Sequence, residues 1–139
     1  MHSIGKYLQL GLISGVIATV INVILYVVGN AIHGTLMTVD PPGPPPLQVL
    51  PIYPVILLSM GPSLIAGLLY GILKKFTAKP QAIFLVIAVI VFAVMFINPF
   101  LATQSVLTLW TLQMMHLGTA IPITYLLLRR EHQNKTSNA

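Results

Sequence analysis

Four stretches of this chain are almost free of charge, and each is about as long as a bilayer is thick. They cover residues 7–29, 50–73, 81–97 and 104–128. A hydrocarbon core of ~30 Å takes roughly 20 helical residues to cross. The runs are continuously apolar and do not alternate, which argues against the strands of a membrane barrel. Composition leaves little choice of solvent: 56% of the 139 residues are hydrophobic and 6% are charged, against about 25% charged in soluble domains. A chain of this size cannot hide so much apolar surface in one small core. The expected fold class is all-α, an integral membrane four-helix bundle. It forms one domain over residues 1–130, followed by a polar tail, 131–139, whose composition predicts disorder.

The cations give the expected orientation. All seven Lys and Arg lie in three places: Lys6 before the first span, Lys74, Lys75 and Lys79 between the second and third, and Arg129, Arg130 and Lys135 after the fourth. With four crossings these places share one side of the membrane, and the positive-inside rule makes that side the cytoplasm. Both termini are expected there, in the cytoplasmic (inner) membrane of a bacterium. The net charge of +5 is thereby explained without a nucleic-acid partner. Tyr7, Tyr26, Tyr53, Tyr70 and Tyr125 fall near predicted span ends, where amphipathic rings anchor. A cleaved signal peptide is disfavoured because the first apolar run exceeds the 7–15 residues typical of such segments. Cysteine is absent, which excludes disulfides and thiolate chemistry.

The connections differ in character. Residues 74–79, "KKFTAK", predict a tight turn pairing spans two and three. In "NPFLAT", residues 98–103, Pro99 disfavours helix at Asn98, and Thr103 is a candidate N-cap for span four. The longest connection, 30–49, contains "VDPPGPPP". Such a run favours stiff polyproline II, readable as a partner-docking segment or as a rigid strap across the bundle end.

Helices associate in lipid through close backbone approach and interhelical hydrogen bonds. Gly11, Gly15 and Thr19 recur at four-residue spacing in span one, as do Ser59, Ser63, Gly67 and Gly71 in span two. Each series lines one face with small residues. Pro62 and Pro122 fall inside spans, where each removes a donor from the carbonyl four residues earlier and is expected to kink its helix.

One histidine, His116 in "TLQMMHLGTAIPIT", stands in the middle of span four. At 1.5 Å per residue it lies about 20 Å from the inner end of its span, near the depth of Thr19, Asn22, Ser59 and Pro62. Ser63 and Thr119 complete a midplane polar layer drawn from spans one, two and four. An uncovered imidazole in hydrocarbon costs several kcal/mol, so His116 is expected to face the bundle and bond Asn22. Two readings follow. His116 is structural glue between helices, or it serves a ligand or solute path.

Chemistry narrows the second reading. A bis-histidine haem needs two imidazoles at one depth, and His2, His33 and His132 lie outside the spans. A single axial histidine to a haem or chlorin, or a quinone site, remains open. No Gly-x-Ser-x-Gly elbow surrounds the serines, and Asp40 and Glu131, the only acids, stand outside the spans. No phosphate loop, dinucleotide fingerprint or metal-ligand spacing occurs. The expectation is a non-enzyme without a required cofactor or metal.

The motifs "VINVILY", Asn98-Pro99-Phe100 and "QMMHLGTAIPI" resemble those of a family of small four-helix bacterial membrane proteins of unknown function. The resemblance covers most of the chain. It implies a stand-alone bacterial four-span protein with Asn22, Pro99 and His116 at recurrent polar and turn positions, and it implies no activity. The expected role is an accessory or interaction subunit of a membrane assembly, with a membrane-protein partner or a second copy. The alternative is an oligomeric facilitator or small-ligand protein with its site around His116.

Overall fold

The computed structural model describes residues 4–33, 37–39, 48–103 and 105–137. Helix α1 spans Ile4–His33, α2 Ile52–Phe76, α3 Pro80–Ala102 and α4 Val106–Ser137. All four are long and apolar enough to cross a membrane. Between α1 and α2 two short strands, β1 (Thr38–Val39) and β2 (Gln48–Val49), pair antiparallel, a small departure from an all-helical chain. The proline run itself, residues 40–47, lies outside the described residues.

Three helices make the bundle. Helix α1 packs along both α2 and α4, and α3 lies at the edge. The interior divides by depth. At the end that carries the cations, Tyr7, Tyr70, Phe84, Ile123 and Leu127 form one apolar cluster with residues from all four helices. At the opposite, loop end, Tyr26, Met37, Val55 and Met115 form a second. Between the clusters the buried side chains are small or polar: Ser14, Ala18, Asn22, Ser59 and Ser63.

The α1–α2 seam depends on glycine because backbone meets backbone there. A Cβ added to Gly67 would lie 2.5 Å from the Tyr7 carbonyl oxygen and 3.0 Å from the Gly11 Cα. One added to Gly11 would lie 2.7 Å from the Ser63 carbonyl oxygen. Gly15 faces Met60 and Ser63, and Gly71 faces Ile4. Thr19, assigned above to the same face, is half-buried and returns its hydroxyl to the Gly15 carbonyl of its own helix (2.7 Å).

Several expectations need correction. Tyr7, Tyr26 and Tyr70 point into the bundle and do not anchor at its surface; only Tyr53 and Tyr125 are exposed. Tyr7 and Tyr70 stack with centroids 5.2 Å apart, and Tyr70 meets Phe84 edge-on at 5.2 Å. Tyr7 and Tyr70 fill the basic end of the bundle with Phe84, and Tyr26 fills the loop end with Met37, Val55 and Met115. Helix α3 does not stop before Pro99 but continues through Asn98-Pro99 to Ala102, with Pro99 buried. The N-cap of α4 is Ser105, whose hydroxyl accepts from the Thr108 N–H (3.3 Å), whereas Thr103 accepts from the Ser105 N–H (3.1 Å). Helix α4 also runs on to Ser137, through most of the tail assigned to disorder. Pro62 and Pro122, as expected, lie inside helices α2 and α4, Pro62 on the exposed side.

The loop end is closed by the chain between α1 and α2. Met37 is fully buried; its N–H donates to the Asn30 Oδ1 and its carbonyl accepts from Leu50, both at 2.8 Å. The Tyr26 hydroxyl donates to the Leu50 carbonyl (2.8 Å). These bonds satisfy backbone groups that would otherwise be stranded at the bundle end.

Candidate midplane site

Asn22, 3% exposed, is the centre of the polar layer. Its Nδ2 donates to the Ser59 Oγ of α2 (2.8 Å) and to the Thr119 Oγ1 of α4 (2.9 Å). Both hydroxyls can accept because each sends its own proton to the carbonyl one turn back, Ser59 to Val55 (2.6 Å) and Thr119 to Met115 (3.2 Å). The directions are therefore mutually consistent, and one amide ties three helices. Ser63 and Ser14 are buried too, but they donate within their own helices, to the Ser59 and Gly11 carbonyls.

The other end of the Asn22 amide has no conventional donor: Oδ1 is buried and without a hydrogen-bond partner. It is pressed against Gly118 of α4, where an added Cβ would come within 2.5 Å of it. Only glycine at 118 leaves room for the oxygen there.

His116 does not bond Asn22. Its Nδ1 lies 2.8 Å from the Leu112 carbonyl oxygen of its own helix. A carbonyl only accepts, so Nδ1 carries a proton and donates. The reason is rotational. Thr119 stands about 60° from His116 around the helix, since three residues advance 300°. The helix can turn only one of them onto Asn22, and that one is Thr119. His116 is half-buried, and its Nε2 is left for other partners.

Gln113 is a buried polar residue of α4 outside the polar layer named from the sequence. It is 2% exposed, and its Nε2 donates to the Phe96 carbonyl of α3 at 2.8 Å. Pro99 removes the ladder donor of the adjacent Met95 carbonyl, not that of Phe96, so the Gln113–Phe96 bond had no direct signal in the sequence. Among the described residues, no group of three His, Cys, Asp or Glu side chains could hold a metal ion.

Four apolar helices, a glycine-lined α1–α2 seam and a polar node tying α1, α2 and α4 define a small multi-pass helical membrane protein. Within that class the chain belongs to a family of unknown function, DUF6069, whose model matches residues 2–133. No curated protein and no solved structure matches it.

Proposed function

We propose that the protein is an accessory or interaction subunit of a membrane assembly, held in the cytoplasmic membrane of a bacterium with both termini inside. It is not itself an enzyme. The observation that carries this reading is the division of labour among the helices. The Asn22 amide hydrogens are spent on joining α1, α2 and α4. Helix α3 has the most apolar span of the four and keeps only 11% of it inside. Van der Waals packing is one of the forces that join helices in lipid, and α3 offers Val86, Val89, Ile90, Val94 and Ile97 outward for it. Isolation of the native complex in mild detergent should yield a partner of fixed stoichiometry, or a defined homo-oligomer. A monodisperse single chain under those conditions would overturn the assignment.

A second reading rests on His116. With Nδ1 bound to Leu112, Nε2 is the nitrogen left to meet a haem, chlorin, quinone or polar solute. A hydrogen bond from the other ring nitrogen orients histidines that act as ligands. An absorbance spectrum of the purified protein, and solute flux in liposomes, test it. A featureless visible spectrum together with impermeable liposomes would count against it.

A further inference from the structure

The exposed cations gather at one end of the bundle. Lys6, Lys75, Lys79 and Arg129 are all exposed there, at the start of α1, the end of α2, the start of α3 and the end of the apolar span of α4. Two of them are held over aromatic rings on the outer surface. The Lys75 Nζ lies 5.3 Å from the Phe76 ring centroid, and the Arg129 guanidinium lies 5.9 Å from that of Tyr125. Both rings are largely exposed, 72% for Phe76 and 58% for Tyr125. They lie where the apolar flank of the bundle meets its polar end. A cation stacked on such a ring stays at the perimeter, at headgroup depth, instead of reaching away into solvent. Opposing charge is scarce, since the chain has only two carboxylate residues, Asp40 in the α1–α2 connection and Glu131 beside Arg130.

We propose that this rim binds the phosphate groups of anionic phospholipids, making the protein selective for them at its boundary. The partner's chemistry follows from the charge and from the depth. A headgroup phosphate ester lies level with the helix ends, and juxtamembrane Lys and Arg side chains attract anionic lipid within about a Debye length. The Phe76 and Tyr125 rings hold two of the four cations, Lys75 and Arg129, beside the apolar flank of the bundle, which a soluble anion has no need of. The proposal does not depend on which side of the membrane the rim faces, or on the role of the protein in an assembly.

The test reconstitutes the full chain in phosphatidylcholine bilayers and compares spin-labelled phosphatidylglycerol with spin-labelled phosphatidylcholine in the motionally restricted boundary. At low salt phosphatidylglycerol should be enriched several-fold, and the enrichment should fall towards one in molar salt, where the screening length is ~3 Å. The variant K6Q/K75Q/K79Q/R129Q should show no enrichment at low salt. If that variant fails to fold, the salt titration of the parent decides alone. Equal association of the two lipids in the parent, enrichment that ignores salt, or a folded quadruple variant that keeps it would each overturn the proposal. So would displacement by inorganic phosphate beyond that by chloride of equal ionic strength, which would make this a soluble-anion site.

Discussion

Replacing Gly67 by alanine tests the seam on which the bundle is built. The new methyl would lie 2.5 Å from the Tyr7 carbonyl oxygen, 3.0 Å from the Gly11 Cα and 3.1 Å from the Gly11 nitrogen. Carbon and oxygen in a close helix–helix contact sit about 3.3 Å apart, so the methyl is roughly 0.8 Å too near. No side chain can rotate away, because all three atoms belong to the backbone of α1. The two helices must separate, and the neighbouring Gly11–Ser63 contact opens with them. Overpacking of this kind costs typically 1–3 kcal/mol. Alanine returns up to about 1 kcal/mol in helix propensity. A backbone-to-backbone clash belongs in the upper part of the first range, which leaves a net loss of about 1–2 kcal/mol. Titration of the micelle-folded protein with denaturing detergent, followed by circular dichroism, reads this directly. Gly67→Val and Gly67→Leu should be progressively worse. A Gly67→Ala protein as stable as the parent would mean that α1 and α2 do not cross at this distance, and the bundle arrangement would be wrong.

The polar node makes a different demand. Asn22→Ala should destabilise by about 1 kcal/mol, and a cycle with Ser59→Ala should reveal coupling of about 0.6 kcal/mol, the usual size for such bonds in membranes. The cycle of Asn22→Ala with His116→Ala should be additive within ~0.5 kcal/mol, since the two side chains bond different partners; strong coupling would contradict the geometry. Gln113→Leu should loosen α3, seen as faster hydrogen exchange in the turn before Pro99, with little change in α1; unchanged exchange would dismiss the Gln113–Phe96 bond as a fixture. Because the chain has no cysteine, single cysteines at Gly43, Thr77 and Ser137 report orientation. An impermeant thiol reagent on intact cells should label only the first, and labelling at 77 would reverse the proposed topology.

Solvent preference is a property of composition, and for that reason the sequence by itself determined that the chain has four segments long and apolar enough to cross a bilayer. Four apolar runs, with every Lys and Arg gathered in alternate gaps, dictate four antiparallel helices whatever the helices do next. The four-residue spacing of Gly11 and Gly15, and of Ser59, Ser63, Gly67 and Gly71, likewise marks a face on each helix, since side-chain direction follows from the helical repeat. Partnership was decided only by the tertiary structure. It depends on how far each helix is rotated and slid against its neighbours, and hydropathy has no information on either quantity. Thr119 and His116 are similar in depth and differ by about 60° in direction, and that angle gives the Asn22 amide to Thr119 and leaves His116 to its own backbone. Tyr7, Tyr26 and Tyr70 turned inward because the bundle interior needed filling at its ends, while Tyr53 and Tyr125, in the same kind of sequence position, stayed outside. Pro99 reads locally as a stop. Within the fold, packing keeps the helix intact around a buried proline, and Gln113 from α4 bonds a carbonyl in the turn just before it.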